Sequence, residues 1–193
     1  MIDGMNDFVM KTKRVGLRKY CPTDLEAFAA INADPQVMKF FPEFAKLSPA
    51  EAEDVMERMN ARIDLQGFGF WAAENLEDHQ LMGFIGIQQV PYETEFTPAV
   101  EIGWRLAVDY WSKGLATEGA EACLSYGFRE LGLKQIVSFT TPLNERSVRV
   151  MQRLGMTHRG SFDHPLIPKG HLLRKHVWYC LESADYCKPF STR

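Results

Sequence analysis

At 193 residues, 46% hydrophobic and 24% charged, the chain is long enough for one well-buried core and short for two domains. A net charge of -3 gives no basic footprint, so nucleic acid is not an expected partner. The opening MIDGMNDFVM has no cationic lead into an apolar run, and no stretch reaches the ~18 uninterrupted apolar residues of a membrane span, so a cytoplasmic chain with no membrane partner is expected.

Lys13 to Tyr20 alternates as an opening strand behind a loose tail over 1–12, with Val15 and Leu17 on one face. Cys21, Cys123, Cys180 and Cys187 lie far apart without CxxC spacing and read as reduced, mostly packing thiols. Thr23 and Glu26 form a capping-box signature ahead of the helix LEAFAAIN, and a second short helix is expected from Asp34-Pro35. Ser48 and Glu51 repeat the capping pattern before AEDVMERMNARIDL, which Gly67 ends. The period then changes. Phe68 to Glu74, Leu81 to Val90 and Ala99 to Val108 read as successive strands joined by short polar turns, an antiparallel meander. A helix is expected from Ala116 to Leu131, stopped by Gly132, then a strand over Gln135 to Thr141 and a helix over Glu145 to Leu154. Met156 to Ser161 and Lys175 to Leu181 close the chain as two strands flanking a Pro/Gly loop. With no internal repeat or linker, residues 1–193 read as a single α+β domain. His164, His171 and His176 lie among Pro165, Pro168 and Gly170 without zinc spacing, so no metal is expected.

WSKGLATEGA, Trp111 to Ala120, carries the chemistry. A helix N-terminus exposes up to four unpaired N–H groups and the positive end of the helix dipole. Fed by a loop of small residues, those donors form a concave anion site suited to a pyrophosphate. Gly114 lets the backbone turn and approach closely, Ala116 adds only a methyl, Lys113 offers charge and Thr117 a hydroxyl. The GxxxxGK[ST] of a nucleotide-triphosphate loop is absent, and an antiparallel meander does not precede a dinucleotide fold's GxGxxG.

EIGWRLAVDYWSKGLATEGA, followed by LNERSVRVMQRLGM, closely resembles the GNAT superfamily of acetyl-CoA-dependent N-acetyltransferases, and within it the RimJ/RimL branch. The resemblance spans about Arg14 to Leu181, including the FDHPLIPKGHLLRKHVWYCL ending of that branch. It implies a mostly antiparallel mixed sheet of about seven strands flanked by helices, with a V-shaped splay for acetyl-CoA. The signature Q/R-x-x-G-x-G/A falls on Trp111 to Ala116, with Trp111 replacing the usual Gln or Arg. Backbone amides from Lys113 through Gly114, Leu115 and Ala116 to Thr117 would hold the coenzyme A pyrophosphate. Leu106 and Val108 would pair with the pantetheine arm, and Asn144 would contact it, with Ser147 its near neighbour.

Acetyl transfer to an amine needs a neutral nucleophile, a stabilised oxyanion and a protonated leaving thiolate. Glu101, in the strand facing the thioester, is the first candidate base; as a structural carboxylate it would instead be solvated or pair with Arg105. Glu118, in the first helical turn, reads as complementing the dipole. A strand amide beside Leu106 can hold the oxyanion. The tyrosine that many GNAT enzymes carry seven residues after the motif asparagine is replaced by Met151, which leaves Ser147 or water as the acid. Trp71, Trp104, Trp178, Met56 and Met59 read as core; Phe40-Phe41-Pro42 reads first as loop packing, with lining of an acceptor entrance as the alternative. The expected activity is acetylation of a primary amine, on a small molecule or a protein N-terminus, with acetyl-CoA as cosubstrate and no metal. The competing reading is a coenzyme A-binding sensor or interaction module without turnover. A homodimer is compatible with the sequence, which does not fix the oligomeric state.

Overall fold

The computed structural model describes residues 7–45 and 47–186; Cys187 lies outside them. In chain order the elements are β1 (Met10–Lys11), β2 (Val15–Arg18), α1 (Leu25–Ala33), α2 (Pro49–Gln66), β3 (Phe70–Asn75), β4 (Leu81–Gln89) and β5 (Val100–Leu106). Then follow α3 (Leu115–Arg129), β6 (Gln135–Thr140), α4 (Glu145–Arg153), β7 (Thr157–Asp163) and β8 (Lys175–Glu182). The strands form one sheet in the order β1-β2-β3-β4-β5-β6-β8-β7, antiparallel throughout except where β5 meets β6. This is a mixed, open sheet flanked by helices, as the resemblance implied.

Alternation sorts the side chains of the central strands. Ile85, Ile87, Ile102 and Leu106 turn to the main core, which α3 closes with Leu115, Ala120, Cys123 and Leu124. Ala72 and Phe84 turn to the opposite face, under Phe28 of α1 and Ala52 and Met56 of α2. Trp71 and Met56 are buried, and Trp104 and Met59 pack on these clusters from partly buried positions, as expected of core residues. Trp178 joins a smaller cluster with Phe96, Val137 and Cys180.

Three expectations are corrected. The segment expected as a loose tail supplies an eighth strand, since Met10 and Lys11 register with Leu17 and Gly16. The Thr23/Glu26 box does not form: Asp24 accepts from the Cys21 amide at 2.9 Å and binds Arg18, so a tertiary ion pair sets where this turn begins. The helix expected from Asp34 is a turn, in which the Asp34 carboxylate accepts from the Gln36 amide at 2.7 Å, followed by a single 3-10 turn over Met38–Phe40. The Ser48/Glu51 capping box forms as expected.

Two features of β5 position the site. Gly83 of β4 lies opposite Leu106, and a Cβ there would stand 2.0 Å from the Arg105 carbonyl oxygen, so glycine permits the close approach of these strands. On its other edge β5 is registered with β6 only at Glu101 opposite Val137. Beyond that point the two parallel strands part.

Candidate active site

The splay opens toward the start of α3. Gly114 is the N-cap, with φ of 81°, and no side chain caps the helix. A left-handed conformation at this position suits glycine, and Ser112 just before it is also left-handed, at 61°. The first acceptor used in the helix is the Gly114 carbonyl, bonded by the Glu118 amide at 3.0 Å. The amides of Leu115, Ala116 and Thr117 therefore have no intrahelical acceptor and face outward with the positive end of the dipole. Ser112, Lys113, Gly114, Thr117 and Arg153, together with Glu118 and Glu121, line a cleft of about 560 Å³ at this end of the helix.

Arg14 braces the loop from beneath. It donates from Nη1 to the Lys113 carbonyl at 3.0 Å and from Nε to Glu118 Oε2 at 2.7 Å. Glu118 also accepts from the Thr12 hydroxyl at 2.7 Å and the Arg14 amide at 2.8 Å. Partial burial works against its charge, but these bonds prevail and hold its carboxyl below the ordinary range. This glutamate is committed to holding the loop.

Leu106 ends β5, and Val108 lies beyond it in a 3-10 turn over Val108–Tyr110, so the strand stops short of the expected Val108. The Val108 carbonyl accepts from the Trp111 amide at 3.0 Å, and the Leu106 carbonyl from the Trp111 indole at 2.7 Å. Trp111 thus substitutes for a Gln or Arg side chain by sealing the end of the strand. Arg146 of α4 stacks on its ring at 4.5 Å. Across the splay, Asn144 is the N-cap of α4: its Oδ1 accepts from the Ser147 amide at 3.3 Å, and its Nδ2 donates to Thr140 Oγ1 at 3.4 Å. Ser147 stands half-buried in the first turn of this helix. Met151 is fully buried in the main core, where a tyrosine hydroxyl would have no water.

Glu101 lies at the last paired point of β5, on the face turned to α1 and α2. It does not pair with Arg105. Two residues of one strand face that are four apart are separated by about 13 Å of strand rise, beyond ion-pair reach. Instead Gln88, directly across on β4, donates from Nε2 to Glu101 Oε1 at 2.6 Å, and Arg62 of α2 donates to Gln88 Oε1 at 2.6 Å. Loss of water on burial outweighs this bond and the more distant Arg62 charge, and lifts the Glu101 carboxyl from 4.5 to about 7. A carboxyl poised there exchanges a proton readily at neutral pH.

Sequence reasoning identified Glu101 but missed its companions. Gln88 and Arg62 are ordinary polar residues in sequence, and only strand register shows them. Tyr92 is near enough for the Glu101 charge to oppose its ionisation, and its hydroxyl lies 2.9 Å from His164 Nε2. His164 and His176 stack at 4.9 Å between ring centroids beside Phe139 and Phe162. Burial, the neighbouring His176 and Arg174 press the His164 imidazole down to about 4, so it is neutral at pH 7. Among the described residues no group of three His, Cys, Asp or Glu side chains is placed to hold a metal ion, and no helix is long and apolar enough to cross a membrane. Cys21, Cys123 and Cys180 are free thiols, the last two buried.

Comparison with known proteins agrees with this geometry. Residues 14–157 match the family model for the acetyltransferase (GNAT) domain. The chain is 34% identical over 175 residues to the uncharacterized N-acetyltransferase YnaD of Bacillus subtilis (strain 168), covering 91% of this chain and 97% of that one. Its fold is similar to a GNAT-family acetyltransferase from Bacillus anthracis, with a TM-score of 0.74 at 28% identity, covering 91% and 98% of the two chains. It is also similar in fold to Mycobacterium smegmatis RimJ in complex with CoA-disulfide, with a TM-score of 0.75 at 20% identity, covering 90% and 84%. The match covers more than half of the chain, and the chain belongs to this family: it is a GNAT acetyltransferase, a family of acetyl-CoA-dependent acyltransferases.

Proposed function

We propose that this chain transfers the acetyl group of acetyl-CoA to a primary amine, on a small molecule or a protein N-terminus, with Glu101 as the base. The observation that carries this reading is the uncapped N-terminus of α3 at the end of the unpaired stretch of β5. The pyrophosphate fits the amides of Lys113, Gly114, Leu115, Ala116 and Thr117, because the space beside Gly114 is filled by no side chain nearer than Arg14 Nη2, 3.5 Å from a Cβ built there. From there the pantetheine arm runs along β5 past Val108 and Leu106, with Asn144 across the splay. The Leu106 carbonyl, held by the Trp111 indole, contributes only if that indole swings aside.

The acceptor arrives as an ammonium. Glu101, ionised, takes one proton, directly or through water, and the free amine attacks the thioester carbon. An amide of β5 between Leu106 and Glu101, past the point where the arm leaves Leu106, stabilises the oxyanion. Collapse of the tetrahedral intermediate breaks the C–S bond. The proton still carried by the attacking nitrogen is relayed through Ser147 or water to the thiolate, leaving the neutral amide and the coenzyme A thiol, and Glu101 returns its own proton to solvent. An α-amine suits this site: about a tenth of it is already neutral at pH 7, against far less than one per cent of a lysine. The RimJ/RimL affinity of the sequence points the same way, toward an α-amino group.

The test is a thermal-shift titration with acetyl-CoA. Ligand at about 100 times its dissociation constant adds roughly 2.7 kcal/mol, or about 5–10 °C at this chain length. Gly114→Asp, which puts bulk and negative charge where the phosphates sit, should lose most of that gain. An unchanged melting temperature for the native chain would overturn the reading.

A further inference from the structure

On the same face of β5 as Glu101 stands a charged group that the chemistry above does not use. The Arg105 guanidinium lies 4.0 Å from the ring centroid of Phe41, in the loop between α1 and α2, and 5.2 Å from that of Phe84. Its one side-chain hydrogen bond goes to a neutral group, Asn32 Oδ1, and Asn32 is itself fixed by donating to the Phe28 carbonyl at 2.7 Å. Among the described residues no carboxylate pairs with it. Its Nε is shut off from solvent without an acceptor, and so is the hydroxyl of Tyr20, whose ionisation the guanidinium charge would favour.

Elsewhere the same sheet pairs a buried arginine fully. Arg18 of β2 donates to Asp24 at 2.6 and 2.8 Å and to Glu74 at 2.8 Å. Arg105 is half-buried rather than enclosed, with its Nε shut off from solvent. A guanidinium partly stripped of water without an anion is costly, and the cost is relieved when one arrives. Phe41 and Phe84 hold the Arg105 plane while Asn32 holds one corner, and among the described residues no acceptor meets Nη2. Gly103 separates Arg105 from Glu101 on this face, each about 7 Å of strand rise away. An amine presented to the thioester between them therefore carries its neighbouring substituent toward the guanidinium.

We propose that Arg105 determines acceptor specificity by binding a carboxylate on the amine that is acetylated, so that the substrates are amino acids or short amino carboxylates and not polyamines. This rests on the acetyl-transfer reading, with the thioester along β5. A planar guanidinium matches a carboxylate in shape and charge, whereas a polycation meets an uncompensated positive charge.

The test compares steady-state turnover of matched acceptors: amino acids, their carboxamides, their decarboxylated amines, and spermidine. The native chain should favour carboxylates by about tenfold or more in kcat/KM, expressed in acceptor KM. Arg105→Met keeps an unbranched side chain against Phe41 and should bring the ratio to within about threefold, with the KM for acetyl-CoA unchanged; Arg105→Lys should fall between. A merely structural arginine would lower all acceptors alike. Equal use of spermidine or carboxamides by the native chain, or a preference surviving in Arg105→Met, overturns the proposal. A binding arm separates it from the transfer reading. N-acetyl amino carboxylates, but not their amides, should raise the melting temperature of the CoA-loaded native chain and not of Arg105→Met. If no amine is acetylated and this difference holds, the transfer reading falls and the carboxylate site stands. If the difference is absent, the carboxylate site falls.

Discussion

Glu118 accepts hydrogen bonds from the Thr12 hydroxyl, the Arg14 amide and the Arg14 guanidinium, whereas Glu101 receives one, from the neutral Gln88 side chain. The first is stabilised as a carboxylate beside a loop it helps to hold. The second is desolvated and lifted to about 7. The two are the same residue type, one near the start of β5 and the other in the first turn of the helix that follows it, and neither environment follows from residue type. What separates them is whether the surrounding donors compensate the loss of water. A fully bonded glutamate is held ionised, and an under-bonded one has its carboxyl raised toward neutral pH, which is the property a base needs.

The comparison breaks most visibly at Glu101. Glu101→Gln should lower kcat/KM by roughly 10- to 1000-fold, with little change in acetyl-CoA binding. In the native chain kcat/KM should rise with pH through a limb near 7, where Glu101 ionises, and the variant should lose that limb. Full activity of Glu101→Gln near pH 7 would make Glu101 structural. The stability signs are opposite for the two groups. The raised pKa of Glu101 favours the folded state below its ordinary 4.5, and that contribution is lost as pH rises through about 7. The lowered pKa of Glu118 favours the folded state above its ordinary 4.5, and that contribution is lost as pH falls.

A smaller effect is expected at Glu118. Its side chain is 20% exposed and that of Arg14 43%, so solvent screens the pair, and Glu118→Gln should cost about 1 kcal/mol. Calorimetry should show a fall of about 2–4 °C near neutral pH, shrinking toward pH 4, while kcat stays within about twofold. A large kcat loss without a change in melting temperature would reverse the assignment of roles. The smallest effect sharpens the account of Glu101. Gln88→Leu removes its one hydrogen bond and should move the activity limb upward by about one unit or less; a downward move would mean that burial is not what raises this carboxyl.

The contrast also shows what was legible in the sequence. The Gly114 loop and α3 obey local rules, glycine where the backbone turns left-handed and a helix directly after, so they could be read from neighbouring residues. The strand that carries Glu101 was legible from its alternation, and the family resemblance singled out the residue, but its electrostatic character was not legible. That character is set by Gln88 and Arg62, brought beside it by strand register and by α2. The structural alternative for Glu101, a pair with Arg105, is one that strand geometry forbids. The Thr23/Glu26 cap failed because Arg18, from a neighbouring strand, captured Asp24 instead. β1 escaped notice because a strand of two residues has no period to read. Local chemistry was visible, and compensation between distant residues was not.

The single paired point between β5 and β6 has a mechanical consequence. Strands β1 to β5 and strands β6 to β8 are two stiff plates joined at a seam with one rung, and elsewhere side-chain packing holds that seam. A cosubstrate lying along β5, with its phosphates on α3 and Asn144 across from it, would act as a splint over the joint. Part of the enzyme's rigidity would then be borrowed from the molecule it consumes, and it would be given up at each turnover when coenzyme A leaves.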